Sequence, residues 1–420
     1  MIRFYNGLCL SFAGGMEVTG DEVWVDGDKI SYVGPARTDM PEFQRQIDLN
    51  GDLVMPGFKD AHTHSGMTFL RSYADDLPLQ RWLYERVFPM EEKLNPDYIY
   101  WLTRLAILEY LTSGITASFD MYFHRDAYAS ANIDSGFRTV ICGVGGTAQL
   151  IEDEYRHFNS LHPLISYVPG FHAEYTASQE QLDDMAAVAR ELKAPVFVHN
   201  SETESEVQGC IERHGMTPTC LFDKLGIYDY GGGGYHCVYM SEEDLKIFKE
   251  RGLWAVTNPA SNCKLASGIA PITHMMDLGL NLAIGTDGPA SNNALDMFRE
   301  MYLTTVLQKL RNMDAAACDA NEVLKMAVTG GAGAMGLTDC DCIAPGKQAD
   351  LIVIDMHRPN MQPVHNVTKN MVYAGSKDNV RMTVIAGRVL YEKGEFFVGE
   401  DVERIYAEAA RIVGEIKGEG

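Results

Sequence analysis

A chain of 420 residues is too long for one small domain and suits a large barrel with an accessory domain. Hydrophobic residues make up 46% of it, enough for a full core, while 35 Lys and Arg against 58 Asp and Glu leave a net charge of -23. That acidity argues against a nucleic-acid partner, which needs a basic footprint.

Nine cysteines, an odd number without paired spacing, read as reduced thiols rather than a disulfide framework. Cys340 and Cys342 lack the partner cysteines of a zinc ribbon. The opening Met1-Ile2-Arg3-Phe4-Tyr5-Asn6 has no basic region followed by an apolar core. No apolar run approaches the ~20 residues of a membrane span. The expectation is a soluble cytoplasmic protein with no membrane partner.

In chain order, the first clear pattern is strand, glycine turn, strand over residues 23–34. Residues 382–391 repeat it near the other end, preceded by a strand with a polar lead-in over 346–355. One small β-sandwich domain built from both termini, 1–57 with 344–420, accounts for this likeness. Its last part, Val402 to Lys417, has helical spacing at Ile405, Ala409, Ile412 and Ile416. Between the ends, residues 58–343 alternate apolar strands with helical patterns. Helices are predicted over Asp97 to Ser113, Ser178 to Leu192, Ser241 to Arg251 and Leu295 to Leu310. Strands are predicted at 115–119, 138–142, 164–168, 195–199, 233–238, 253–257 and 281–286. This alternation predicts a parallel sheet, and its seven or eight units fit a closed (β/α)8 TIM-type barrel. Gly231 to Gly234 reads as a flexible connection before a functional strand.

The ionisable residues gather at strand ends. His62 and His64 stand two apart at the end of an apolar run, so an extended chain turns both to one metal ion. Pro195–Glu202 ends a buried-strand pattern in His199, with Glu202 three residues on. His236 follows the glycine run, and Leu282–Gly288 ends in Asp287. In a parallel barrel the strand C-termini are where chemistry is assembled. Four histidines, a glutamate and an aspartate so placed predict a metal-dependent hydrolytic site.

With these segments stand Pro56-Gly57-Phe58, Arg81-Trp82-Leu83, Phe88-Pro89-Met90-Glu91, Asp120-Met121-Tyr122-Phe123-His124, Asn258-Pro259-Ala260-Ser261-Asn262 and the run from Gly285 to Asn293. Over almost the whole chain they resemble the amidohydrolase superfamily. Within it they are similar to the adenosine-type deaminases of S-adenosylhomocysteine and methylthioadenosine, with triazine chlorohydrolases as near relatives. The resemblance implies one divalent metal ion per subunit, held by His62, His64, His199 and Asp287. Zinc is the usual ion and iron also occurs; three imidazoles and a carboxylate suit either. Such an ion lowers the pKa of water from ~16 toward ~7. The resemblance makes His236 the hydrogen-bond partner of the attacking hydroxide and Glu202 the proton shuttle to the ring nitrogen. Asp287 takes the attacking oxygen's proton and passes it to the leaving amine, so that ammonia is released. It also implies a homo-oligomer.

Substrate contacts follow from the same likeness: Glu91 to ribose hydroxyls, His172 to the purine, Ser291 near the sugar or its tail, and Trp82 as a pocket wall. Trp82 reads equally as core packing, and Glu91, beside Glu92, as a solvated helix face. His124 is expected to be buried and hydrogen-bonded without chemistry. The family holds homocysteine tails with arginines after the third barrel strand, but Ile141 to Gln149 contains none. Arginine is the natural grip for a carboxylate, and Glu152-Asp153-Glu154 would repel one if near. Adenosine, 5'-deoxyadenosine and methylthioadenosine are therefore expected ahead of S-adenosylhomocysteine. Thr257 stands where the family usually has histidine. The alternatives are hydrolysis of another nitrogen heterocycle (8-oxoguanine, a pterin or a triazine) and a catalytically silent scaffold. Glu91 favours a ribose-bearing substrate, and the retained ligand set argues against the scaffold.

Overall fold

The computed structural model describes residues 1–418. Its centre is parallel β-structure wrapped by helices. One sheet runs Ile165–Val168, Arg138–Cys142, Ile115–Asp120, Phe58–Thr63; a second runs Gly170–Phe171, Val196–Asn200, Gly232–His236, Trp254–Thr257, Asn281–Ile284. Every neighbouring pair in both sheets is parallel. The strands are buried nearly throughout, as parallel strands covered by helices must be, and so read as unbroken apolar runs.

Only Pro169 separates the last strand of the first sheet from the first strand of the second. At the other seam no ladder joins Phe58–Thr63 to Asn281–Ile284. They meet through the Asp287 N–H on the His62 carbonyl (2.9 Å) and the Thr286 N–H on the Asp60 carboxylate (2.8 Å). Ala61, Ala117, Phe119, Val140, Phe197, Tyr235, Val256 and Ala283, drawn from both sheets, form one buried cluster. The fold is thus mixed α/β with consecutive parallel strands; a continuous ladder around a closed barrel is absent among the described residues.

The helices lie where the 3.6-residue periodicity places them, at Pro96–Thr112, Gln179–Leu192, Glu242–Arg251 and Met297–Asn312. Their starts are set by side-chain caps. Asn95 accepts from the Tyr98 N–H, Ser178 and Ser241 form capping boxes with Gln181 and Asp244, and Asp296 accepts from Phe298.

The glycine run departs from expectation. Gly232–His236 is a full strand, not a flexible lead-in. A Cβ on Gly232 would fall 1.9 Å from the Val196 carbonyl oxygen, and one on Gly233 2.3 Å from that of Trp254. These glycines let neighbouring strands approach closely.

Both chain ends share one seven-stranded sheet, in which Leu53–Pro56 pairs antiparallel with Leu351–Ile354. A four-stranded sheet holds Ile2–Tyr5 between Glu22–Asp26 and Arg45–Asp48. Phe4, Val25, Ile47, Val54, Leu351 and Val384 are buried together. The helix Val402–Lys417 buries Ile405, Ala409, Ile412 and Ile416. It docks on the middle of the chain: Tyr98 donates to Glu415 (2.6 Å), Arg411 to Asp97 (2.9 Å) and Lys93 to the Ile416 carbonyl (2.8 Å). None of the described helices is long and apolar enough to cross a membrane, and all nine cysteines are free.

Candidate active site

The predicted ionisable residues meet at the C-terminal ends of the parallel strands. His62 lies in Phe58–Thr63 and His64 just past it; His199 lies in Val196–Asn200; His236 ends Gly232–His236; Asp287 follows Asn281–Ile284. Ser201, His236 and Asp287 have φ of 54°, 70° and 58°, in the left-handed region that non-glycine residues avoid. Such strain persists only where the surroundings enforce it, and here it turns the chain at three strand ends.

His64 Nε2 lies 3.2 Å and His62 Nε2 3.5 Å from Asp287 Oδ1. One potential ligand atom each from His62, His199, His236 and Asp287 lies within 4.8 Å of all the others. His236 Nε2 is 3.8 Å from Glu202 Oε2 and 4.0 Å from Asp287 Oδ2.

The outer atoms of the cluster are already engaged. His64 Nδ1 donates to the Met121 carbonyl (2.6 Å) and His199 Nδ1 to the His172 carbonyl (2.7 Å), which leaves each Nε2 with a lone pair. Asp287 Oδ2 accepts from Ser261 Oγ (2.6 Å) and Ser291 Oγ (2.9 Å). His62 is 0% exposed, and neither of its ring nitrogens has a hydrogen-bond partner. Unpaired buried polar atoms are costly. A divalent cation among His62, His64, His199 and Asp287 would satisfy one of the two His62 nitrogens, and this donor set fits one.

Electrostatics agree with that fit. Burial drives the His62 imidazole down to about 3 and holds His199 well below its ordinary range, helped by the neighbouring imidazoles. Burial opposes protonation of His64 as well, but hydrogen bonding to Asp287 outweighs it and holds the ring up at about 9. Burial would raise Asp287, yet its histidine partners hold it well below the usual carboxylate range. Burial pushes the Glu202 carboxyl up, with His236 opposing.

All of these groups but His62 open onto one cavity of about 300 Å³. His64, His199, Glu202, His236 and Asp287 form its reactive end; Leu79, Leu83, Phe88, Met121, Val144 and Phe171 give it apolar walls. Glu91 and His172 also line it, and no lysine or arginine does.

The sequence profile of the amidohydrolase family matches residues 53–390. The chain belongs to the amidohydrolase family. A 5-methylthioadenosine/S-adenosylhomocysteine deaminase of Pelotomaculum thermopropionicum is 39% identical over 402 residues, covering 93% of this chain and 92% of its own. A 5'-deoxyadenosine deaminase of Methanothermobacter thermautotrophicus is 38% identical over 382 residues, covering 88% and 89%. Among solved structures, an adenosine deaminase of Xanthomonas campestris with bound zinc superposes with a TM-score of 0.93 at 32% identity, covering 99% of this chain and 98% of that one. The zinc-bound atrazine chlorohydrolase of Arthrobacter aurescens (TM-score 0.91, 22% identity, 98% and 100% covered) shares the fold.

Within this amidohydrolase, the structure brings the predicted residues together with two exceptions. Glu91 is half-buried on the cavity wall rather than on a solvated helix face; its Oε1 accepts from the Tyr122 hydroxyl (2.7 Å). Burial pushes its carboxyl up against that hydrogen bond. Trp82, 5% exposed, lines the cavity, and its indole N–H has no partner. His172 lines it too, with Nδ1 3.0 Å from Thr176 Oγ1, and burial holds its ring down at about 4.

Ser291 is the first exception. It is 2% exposed, sits behind Asp287 and does not line the cavity. His124 is the second. It is exposed, not buried, and takes a left-handed φ of 50° before the helix Arg125–Ser135 without capping it. Glu152–Glu154 lies on the outer helix Ala148–Leu161, where Glu154 pairs with Arg125 and Glu152 with Arg156, and none of the three reaches the cavity. Thr257 is buried away from it, beside Asn262 and Gln308. Sequence reasoning missed the groups that hold the site: Tyr122, Asn262, Ser267 and Glu206. Glu206 accepts from the backbone N–H of Ser201 (3.0 Å) and Glu202 (2.8 Å). Their partners are distant in sequence or reached through backbone, so no local pattern marks them.

Proposed function

We propose that the protein is a metal-dependent hydrolytic deaminase of adenine nucleosides, with zinc as its ion. The observation that carries this reading is one cavity lined by His64, His199 and Asp287 of the ligand cluster, by Glu202 and by Glu91. The deaminase relatives support it.

His62, His64, His199 and Asp287 would hold the ion, whose chemistry when bound would be to make water acidic enough to serve as a nucleophile at neutral pH. As the water oxygen bonds to the amino-bearing ring carbon, Glu202 takes one of the water's two protons and gives it to the adjacent ring nitrogen. Burial, which pushes the Glu202 carboxyl up, favours its taking that proton. His236 hydrogen-bonds the attacking oxygen. Asp287 takes that oxygen's proton and passes it to the amine; the carbon–nitrogen bond breaks and ammonia leaves. Glu91 accepts from ribose hydroxyls, His172 contacts the purine and Trp82 walls the pocket.

The cavity determines the tail. Its ionisable lining is carboxylate and imidazole, with no cation to neutralise a substrate carboxylate. Adenosine, 5'-deoxyadenosine and methylthioadenosine fit; S-adenosylhomocysteine would leave its carboxylate unpaired among acids. We also infer that the two parallel sheets are halves of one (β/α)8 barrel over 58–343, with the terminal strands of 1–57 and 344–420 forming a separate β-sandwich. Ammonia release from methylthioadenosine, measured on metal-loaded and chelator-treated protein, tests the reading. Release that needs the metal supports it; no release with stoichiometric zinc overturns it.

A further inference from the structure

The motif Asn258-Pro259-Ala260-Ser261-Asn262 has no part in the chemistry above, and of the stretch that follows only Leu265 lines the cavity. Yet Ser261, Asn262 and Ser267, all buried, lie on the short helix Pro259–Lys264 and the turn after it, and each ends on a different proton-handling side chain. Ser261 Oγ donates to Asp287 Oδ2 (2.6 Å), Asn262 Oδ1 meets His236 Nδ1 (2.8 Å) and Ser267 Oγ donates to Glu202 Oε1 (3.1 Å). The stretch is itself tied down. The Ser267 N–H donates to the Asn262 carbonyl (2.9 Å) and the Ala260 N–H to Glu300 (3.0 Å), whose other oxygen accepts from Asn292 (2.8 Å) in the Asp287 loop.

We propose that this stretch is the positioning element for proton transfer, with Asn262 and Ser267 as its two decisive residues. The inference rests on the deaminase reading. A carboxamide oxygen has no proton to give, so the Asn262–His236 bond exists only when Nδ1 carries the hydrogen. Nε2, which faces Glu202 and Asp287, is then the His236 nitrogen left to accept a hydrogen bond from the attacking oxygen. Ser267 fixes the rotation of the Glu202 carboxylate through Oε1 and leaves Oε2 toward His236.

The test compares Asn262→Leu, Asn262→Asp and Ser267→Ala, each checked for bound metal. Asn262→Leu removes the acceptor at nearly constant volume and is expected to lower kcat about 10–100-fold, as loss of a partner behind a site histidine does. KM and metal content stay near wild type. Asn262→Asp keeps an acceptor in place and recovers most of the loss. Ser267→Ala lowers kcat about tenfold, the weight of one hydrogen bond to a charged group. Nitrogen-15 NMR of histidine-labelled protein, with the His236 signal assigned by its loss in His236→Gln, reads the hold independently of activity. His236 is protonated at Nδ1 in wild type and Asn262→Asp and mixed between nitrogens in Asn262→Leu. Should Asn262→Leu not fold, Asn262→Ser, too short to reach, replaces it. An unchanged kcat or an unchanged tautomer in the variant without the acceptor overturns the proposal. Wild-type protein that deaminates no adenine nucleoside overturns the deaminase reading instead, while the NMR result still decides whether Asn262 sets the His236 tautomer.

Discussion

Tyr122 donates its phenolic proton to Glu91 Oε1 at 2.7 Å, and its ring stands 6.3 Å from that of His64. One side chain therefore spans from the proposed ribose acceptor to a proposed metal ligand. Removing the hydroxyl frees a Glu91 oxygen but also releases its orientation. Tyr122→Phe is expected to raise KM for nucleosides several-fold with a smaller change in kcat. Glu91→Ala removes hydrogen bonds to a charged acceptor, worth about 1.5–3 kcal/mol, and should raise nucleoside KM about 10–100-fold. Steady-state kinetics on adenosine and on free adenine check both. An equal effect of Glu91→Ala on the two would remove the ribose contact.

Glu202→Gln keeps the volume of the side chain and loses the transferable proton. It should retain metal and fold while kcat falls ~10²–10⁴-fold. Turnover near wild type would show that the proton comes from elsewhere.

His199 donates one nitrogen to the His172 carbonyl and turns the other to the cluster. His199→Ala should lower zinc content per chain, measured by elemental analysis after gel filtration. The rise in melting temperature that zinc confers on wild type should shrink with it. Stoichiometric zinc in the variant would mean that His199 is not a ligand.

The pair Arg138–Asp350 joins a parallel-sheet strand to the residue before the terminal strand Leu351–Ile354, with side-chain exposures of 7% and 0%. Burial would raise Asp350, but Arg138 outweighs it and holds the carboxyl below its ordinary value. A depressed carboxyl stabilises the fold above its unfolded pKa, and that contribution is lost as pH falls through the lower folded value. Arg138→Leu leaves a buried carboxylate without its cation and should destabilise by about 3–5 kcal/mol at neutral pH. In the variant only Lys59 and the Ala386 N–H still oppose burial, so the depression of the carboxyl shrinks and less stability is lost as pH falls. Denaturant melts between pH 4 and 8 read both effects; identical slopes in wild type and variant would contradict them.

The chemistry was legible where local pattern and strand geometry coincide. His62 and His64 declare themselves by alternation, His199 and Asp287 by closing apolar runs, and Val402–Lys417 by its spacing. Gly232 and Gly233 did not, because a missing side chain signals flexibility and close strand approach alike; the 1.9 Å that a Cβ on Gly232 would leave to Val196 decides between them. Ser291 matched a family position but turns to Asp287, four residues away, because its loop folds back. Asn262 and Ser267 were silent because their partners lie 26 and 65 residues away, joined only when the strand ends assemble.

Ammonia release measured on zinc-loaded protein with adenosine, 5'-deoxyadenosine, methylthioadenosine, S-adenosylhomocysteine, adenine and 8-oxoguanine, and chloride release with a chlorinated triazine, tests the central claim most directly. The account predicts strong release from the three nucleosides without a carboxylate and little from S-adenosylhomocysteine or the free heterocycles. Activity confined to the free heterocycles would contradict it and make Glu91 a wall residue of a different pocket.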